Sequence, residues 1–81
     1  MFTTNIPKLD LHGEYREVAR ILINEFIEDN YKMGNKKIAI IHGIGKGIIK
    51  NEVLTTLKRN KKVEKYYINF FNVGETIVEL K

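Results

Sequence analysis

The sequence of 81 residues contains no cysteine, one proline and two histidines. Without cysteine the chain cannot form a disulfide framework or a thiolate zinc site, and two histidines are too few for most metal sites built from histidine alone. A metal ion would need carboxylate oxygen, which favours a hard cation. No run of about 20 apolar residues could cross a bilayer, and "MFTTNIPKLD" lacks the pattern of a secretion signal. We therefore expect a cytoplasmic location and no membrane partner.

The composition that remains is that of one small globular domain. Hydrophobic residues make up 43% and charged residues 30%, and a domain of this size buries about 60 to 65 per cent of the surface of its unfolded chain. The net charge is +4, with most of the lysine excess between Lys32 and Lys65. This bias favours a polyanion as partner, and nucleic acid is the first candidate.

Apolar spacing divides the first half of the chain into a strand, a helix and a second strand. Residues 6–13 alternate between apolar and polar side chains, which is typical of a short strand. Helical spacing runs from residue 14 to about 33, and Gly34 marks its end. The β-branched run at residues 36–42 predicts a strand that is buried on both sides or lies in the middle of a sheet. The helical stripe consists of Tyr15, Ala19, Leu22, Ile23 and Phe26, with Val18 and Ile27 at its margins.

The second half predicts a helix followed by a hairpin, so that the element order is β-α-β-α-β-β. Apolar residues recur every fourth position between residues 47 and 59. Residues 63–81 read as two strands joined by a tight turn at residues 72–74. In this register Phe70 and Phe71 belong to the first strand of the hairpin. At least half of the aromatic residues there would be core, and stacking on bases is the alternative role for Tyr66, Tyr67, Phe70 and Phe71.

Both histidines follow an apolar run and precede a glycine. His12 and His42 end the first and second strands of a strand-helix-strand unit, and such units are almost always right-handed with parallel strands. Parallel strands finish at the same edge of the sheet, where open α/β sheets place their ligand sites. We therefore expect the two histidines to lie at one edge and to mark the functional site.

Asp10 shares a face with His12 and lies about 6 to 7 Å along the strand. Its carboxylate could orient the imidazole for catalysis, or hold a cation beside it. The alternative is structural, with Asp10 paired to a lysine and each histidine hydrogen-bonded to a loop. The residues alone leave both interpretations open.

"HGIGKGII" leads directly into the second helix. Gly43, Gly45 and Gly47 allow backbone amides to approach a bound anion at a helix N-terminus, with Lys46 as a cationic contact. The loop lacks the glycine spacing of a dinucleotide fingerprint and the Ser or Thr of a Walker loop. A tight strand-to-helix turn is the structural alternative, and a small nucleotide-binding protein is a weaker functional one.

Taken in order, "LDLHG", "REVA", "IIHGIGKGIIKNEV" and "GETIVELK" resemble the Smr (small MutS-related) domain over residues 6–81, which leaves residues 1–5 as an N-terminal tail. The resemblance implies an α+β fold, an α/β two-layer sandwich with a four-stranded mixed sheet and two helices. This fold is similar to the C-terminal domain of the third bacterial translation initiation factor. It further implies binding of DNA or RNA and, in many members, metal-assisted endonuclease activity, with Mg²⁺ or Mn²⁺ as the expected ion.

The family's two motifs fall on Leu9 to His12 and on His42 to Gly45. From the chemistry of phosphodiester cleavage we expect Asp10 to hold the cation or to act with His12 as base, and His42 to act as acid or to contact the phosphate. The amides of residues 43–47, with Lys46 and Lys50, would bind its oxygens. Lys50 replaces a common arginine and Glu75 a small or apolar residue, so the substrate contacts differ from the family pattern.

Two functional classes follow from this resemblance. The first is an endonuclease that nicks DNA or cuts RNA, in DNA repair and recombination or in ribosome quality control. The second is a non-catalytic nucleic-acid-binding or adaptor module of a larger MutS-like or translation-quality-control protein. The sequence chooses neither between these classes nor between DNA and RNA, and it leaves metal dependence and oligomeric state open. It fits both an excised domain and a minimal protein.

Overall fold

The computed structural model describes residues 6–45 and 47–81. It contains a four-stranded sheet and two helices in the order expected from the sequence. The strands lie in the order β1-β2-β4-β3, with β1 parallel to β2 and the other pairs antiparallel. The expected mixed sheet is therefore confirmed. The elements are β1 Lys8–Asp10, α1 Arg16–Lys32, β2 Lys37–Ile41, α2 Ile48–Arg59, β3 Val63–Asn69 and β4 Asn72–Leu80.

The core lies between the two helices and one face of the sheet. Alternate residues of β2 and β4 point to this face, since Ile38 pairs with Val78 and Ile40 with Thr76, and all four are fully buried. The buried stripe of α1 differs from the predicted one, because Tyr15 precedes the helix and is 78% exposed. The buried residues of the helices are Ala19, Ile23, Ile27 and Asn30 in α1 and Val53, Thr56 and Leu57 in α2. Neither helix has the length and apolar character needed to cross a membrane.

The hairpin turn lies two residues earlier than predicted. β3 ends at Asn69 and β4 begins at Asn72, so Phe70 and Phe71 form the turn rather than part of a strand. Gly74, which the sequence placed in the turn, is a buried strand residue, and a Cβ there would lie 3.2 Å from the carbonyl carbon of Gly43. The glycine is therefore needed for a close approach of two backbones, and this tertiary requirement overrides the local turn signal.

The other face of the sheet carries a buried carboxylate. Glu75 is 2% exposed; the side-chain amide of Asn69 donates to its Oε1 at 2.7 Å, and Lys8 Nζ lies 3.4 Å from its Oε2. No other polar partner reaches this second oxygen within the described part of the chain. The β1 lysine therefore provides the compensating charge for a carboxylate on β4.

The Lys8 and Glu75 pair gives a first prediction. Lys8→Met removes the cation that lies beside a buried carboxylate and should lower the free energy of unfolding by about 1 to 2 kcal/mol, less than for a fully buried pair because the lysine is partly exposed. In a Glu75→Gln background the same substitution should cost about 0.5 kcal/mol or less. Urea denaturation of the four proteins measures the coupling. Equal costs of Lys8→Met in both backgrounds would show that the lysine acts through packing alone.

Candidate functional site

The loops that follow β1 and β2 meet at one edge of the sheet. The two strands are parallel, with Asp10 opposite Ile41, and the Leu11 amide donates to the Ile41 carbonyl at 2.7 Å. A Cβ built on Gly43 would lie 3.2 Å from the Cβ of His12. The His12 side chain therefore lies directly against the glycine loop, at the carboxyl edge where the parallel arrangement predicts it.

Asp10 and His12 form an exposed hydrogen-bonded pair. Asp10 Oδ1 accepts the backbone N–H of His12 at 3.1 Å and lies 3.0 Å from its Nδ1. Because a carboxylate only accepts, Nδ1 must carry the proton. The hydrogen bond to Asp10 raises the pKa of His12 above its ordinary value, with a smaller contribution from the negative charge. The same bond lowers the pKa of the Asp10 carboxyl.

This tautomer determines what the His12 imidazole can do. With the proton held on Nδ1, neutral His12 presents the Nε2 lone pair, and protonated His12 presents an Nε2–H donor. The side chain is 73% exposed, and no hydrogen-bond partner of Nε2 occurs within residues 6–45 and 47–81. The nitrogen is therefore accessible to a ligand as a base or as an acid.

His42 is in a different environment, although the sequence places it in a similar motif. It is 6% exposed; its Nδ1 lies 3.1 Å from the Gly43 carbonyl and its Nε2 lies 2.9 Å from Thr76 Oγ1. The carbonyl can only accept, so Nδ1 donates, and in the neutral ring Nε2 accepts from the threonine hydroxyl. Both ring nitrogens are thus engaged within the protein.

Strand alternation explains this difference. Asp10 pairs with Ile41, so the side chains of these two residues share the open face of the sheet. His42 follows Ile41 and therefore points to the opposite face, the helix side, with Ile40 and Thr76. Asp10 and His12 are in contact, but His42 does not join them in this geometry. The catalytic role predicted for His42 stays a prediction, and its contacts favour a positioning role.

The glycine loop holds its shape by backbone contacts and opens toward the start of α2. The His42 and Gly43 amides both donate to the Gly74 carbonyl, at 2.9 and 3.0 Å, so they are committed to the fold. Gly43 and Gly47 have left-handed backbone conformations, with φ of 78° and 85°, which favours glycine at both positions. Gly45 is exposed and has open space around its Cα.

The start of α2 has no side-chain cap among the residues that the structure describes. Gly47 is the N-cap, no described side chain bonds to the first turn, and that turn has no acidic residue. The first N–H groups of a helix have no partner within the helix, so these amides remain for an anion. A cavity of about 200 Å³ lies there, lined by residues 42–45 and 47–50, including Lys50. Lys46, the other predicted phosphate contact, lies outside the described residues.

The ligands for a metal ion are few. Within residues 6–45 and 47–81 no three His, Asp or Glu side chains cluster closely enough to hold an ion. Asp10 offers one carboxylate, whose Oδ1 already accepts two hydrogen bonds. Mg²⁺ binds through one or two carboxylates only when waters and substrate phosphates complete its shell. These residues therefore do not fit an ion held by the protein alone, and the expected Mg²⁺ or Mn²⁺ at Asp10 stays a prediction.

Sequence reasoning missed two residues that shape the site. Thr76 binds the His42 ring, and Gly74 provides the carbonyl that anchors the loop. Thr76 is in phase with Val78 and Leu80, so the pattern assigned it to the core without showing that a buried hydroxyl needs a partner. Gly74 has the local pattern of a turn residue, and nothing in the neighbouring sequence indicates its long-range contact with Gly43.

The fold and the residues at the carboxyl edge of β1 and β2 together define a small α/β domain. In this domain an exposed Asp–His pair lies beside a glycine loop at a helix N-terminus. The family model of the Smr domain matches residues 9–81. The chain belongs to the Smr family, as its two motifs predict.

Its curated relatives include much longer proteins named endonuclease MutS2. The chain is 35% identical over 77 residues to that of Alkaliphilus metalliredigens and 39% identical over 77 residues to that of Lactobacillus johnsonii, in each case covering 91% of this chain and 10% of the relative. The chain thus spans about a tenth of the length of these relatives.

Two solved structures share the fold. The Smr domain of Thermus thermophilus MutS2 superposes with a TM-score of 0.90 at 24% identity, over 94% of this chain and 99% of that one. YdaL, a stand-alone small MutS-related protein from Escherichia coli, gives a TM-score of 0.87 at 24% identity, over 91% and 63% of the two chains. The α+β fold predicted from the sequence is confirmed.

The hydrogen bond between Asp10 and His12 gives a second prediction. Asp10→Asn removes the carboxylate that favours the charged imidazole, so the pKa of His12 should fall toward that of an exposed histidine. At a pH between the His12 pKa of the wild type and that of the variant, the wild-type ring is protonated and the variant ring is neutral. NMR titration of the two histidine rings measures this, and His42 provides an internal control because Asp10 does not contact it. An unchanged His12 titration would contradict the pairing.

Proposed function

We propose that this chain is a nucleic-acid-binding endonuclease domain in which Asp10 and His12 form the acid-base pair. The observation that carries the proposal is the accessible Nε2 of His12, whose tautomer Asp10 fixes, next to a loop with unpaired helix amides. The relatives named endonuclease MutS2 support the same assignment.

Cleavage requires a nucleophile, stabilisation of the phosphate oxygens and a proton for the leaving oxygen. Neutral His12 would take the proton from the attacking hydroxyl as the new P–O bond forms. The protonated ring would return that proton to the leaving oxygen as the old P–O bond breaks. In DNA the nucleophile is water, whereas in RNA the ribose 2′-hydroxyl can attack.

The phosphate oxygens would lie against the first amides of α2 and the side chain of Lys50. His42 would act as a positioning residue, since its ring connects the loop carbonyl of Gly43 to Thr76 on β4. In this assignment the open face of the sheet provides the Asp–His pair, while the helix side provides the anion site.

Two further cavities continue from the loop along the helices. One of about 260 Å³ is lined by Arg16, Ile48, Asn51, Glu52 and Thr55, and shares Ile48 with the loop cavity. A larger groove of about 400 Å³ shares Glu52 and Thr55 with it and carries Arg20, Arg59, Lys61 and Lys62. This larger groove, called the helix groove below, runs along α2. Because α2 has 12 residues, the helix groove extends about 18 Å from the loop. We assign cleavage to the glycine loop, and contacts with the nucleic-acid backbone to the more basic helix groove.

A non-catalytic binding module is the second candidate. It is favoured by the absence of an acidic cluster in the described part of the chain and by the internal bonds of both His42 nitrogens. Such a module would deliver a larger MutS-like or translation-quality-control protein to DNA or RNA. The loop, the groove and the net charge serve this function equally well.

The cleavage test uses labelled single- and double-stranded DNA and RNA with Mg²⁺, Mn²⁺ or EDTA. His12→Ala should slow cleavage by about 100-fold or more, the usual contribution of a positioned acid-base group, while the dissociation constant changes little. Asp10→Asn should slow it less and shift its pH profile downward, since the lower pKa frees the base at lower pH. Cleavage that stops in EDTA would support the predicted Mg²⁺ or Mn²⁺, and cleavage that continues in EDTA would contradict it.

Asp29→Asn is the matched control, because it removes an exposed acid of α1 remote from the loop. Cleavage by His12→Ala at the wild-type rate would exclude the proposed pair. Binding without cleavage by wild-type protein in every metal condition would instead favour the binding module.

The helix groove gives a separate prediction about affinity. Arg20→Gln and Arg59→Gln should each weaken binding about equally for all sequences and reduce the slope of log K against log salt by roughly 0.7 to 0.9 per lost phosphate contact. Fluorescence anisotropy across a salt series measures the slope. Lys65→Gln is the control, since this lysine lies near Glu79 on the open face of the sheet. An equal loss in the control would indicate general charge rather than a defined path.

A further inference from the structure

The tip of the β3–β4 hairpin presents two phenylalanines to solvent. Phe70 and Phe71 are 90% and 91% exposed, and their rings meet edge to face with centroids 5.3 Å apart and planes at 87°. Tight turns usually contain Gly, Asn, Asp, Ser or Pro, because these residues suit the backbone and the solvent. Two adjacent large apolar side chains at this position therefore need an explanation other than folding.

The tip is held by hydrogen bonds between asparagine side chains and backbone amides rather than by packing of the rings. The Phe71 N–H donates to Asn69 Oδ1 at 2.9 Å, and the Gly74 N–H donates to Asn72 Oδ1 at 3.0 Å. These side-chain bonds fix the turn on both sides of the aromatic pair. A ligand that contacts the rings would consequently lose little free energy to ordering of the loop.

The hairpin is joined to the glycine loop at its base. Gly74 contacts Gly43 and accepts the amides of both loop residues, His42 and Gly43. Phe71 precedes Gly74 by three positions, a span of at most about 10 Å. The aromatic pair therefore lies on the same edge of the sheet as the glycine loop, at most about 10 Å from the backbone contact between Gly74 and Gly43.

The size of the aromatic pair favours a base over a protein. A buried aromatic side chain accounts for roughly 150 to 250 Å², so two of them supply about a quarter to two fifths of the roughly 1,200 Å² of a stable protein interface and do not make one by themselves. One or two stacked bases, in contrast, match two rings, and such stacking is independent of sequence. Bases inside a duplex already stack on their neighbours, so only unpaired bases offer a free face.

We propose that Phe70 and Phe71 stack on unpaired bases next to the cleavage position, and thereby favour binding of single strands over duplex. This inference rests on the proposed function, since it needs a nucleic acid in the glycine loop. It adds a substrate class to that function, namely DNA or RNA with unpaired bases.

The experiment compares a fluorescein-labelled single strand with a blunt duplex of equal length. Phe70→Ala with Phe71→Ala should weaken binding of the single strand by roughly 5- to 150-fold, the range for one stacked base, and leave the duplex unchanged. The salt slope should stay that of the wild type, because stacking releases no counterions. 2-Aminopurine at the cleavage position should lose its quenching in the variant.

Two substitutions of the same positions separate stacking from general apolar contact. The Phe→Trp pair should retain the preference for single strands, whereas the Phe→Leu pair, which is apolar but has no aromatic face, should lose it. Met33→Ala is the matched control, since Met33 is 67% exposed at the other end of α1. The exposed rings make no core contact, so thermal unfolding should be unchanged in all variants.

Several outcomes would overturn the inference. These are wild-type affinity in the alanine or the leucine pair, an equal loss for single strand and duplex, or a wild-type dimer in sedimentation that the alanine pair abolishes. If wild-type protein binds no nucleic acid, both the proposed function and this inference fail. If it binds but the variants do not discriminate, the inference fails alone.

Discussion

The candidate site depends on one backbone contact, in which the carbonyl of Gly74 accepts the amides of His42 and Gly43. This contact attaches the loop after β2 to the strand β4 and lets two glycines approach more closely than side chains would allow. On one side of it lie the glycine loop and the start of α2. On the other lie Thr76, which holds the His42 ring, and the hairpin tip. A shift here would move all of these groups together, so the loop and the hairpin form one unit.

The two His-Gly motifs look alike in sequence but end in different environments. β1 is an edge strand, and the side chain of His12 after it is exposed, with its imidazole oriented by the carboxylate two residues earlier. β2 lies between two strands, and His42, which follows it, points to the helix side of the sheet. There a buried imidazole needs hydrogen-bond partners for both of its nitrogens. The position of each strand in the sheet therefore separates an accessible histidine from a buried one.

The sequence predicts most of the fold because apolar periodicity and helix ends are local signals. Gly34 follows the end of α1, and the parallel pairing of β1 with β2 brings His12 and His42 to one edge of the sheet. Local signals fail where tertiary contact decides. Gly74 resembles a turn glycine although it serves a close approach to Gly43, and this error moves Phe70 and Phe71 from a predicted strand to an exposed tip. The burial of His42 likewise depends on Thr76, 34 residues later.

A histidine beside a phosphate has two conflicting tasks. The protonated ring attracts the phosphate, but a base must be neutral, and Asp10 favours the charged form by raising the pKa of His12. Other groups at the site relieve this conflict if they bind the phosphate themselves. The first amides of α2 attract an anion without a titratable proton, and the arginines of the helix groove add positive charge beside them. The anion can then be held without the charge of His12, which leaves the imidazole available for proton transfer.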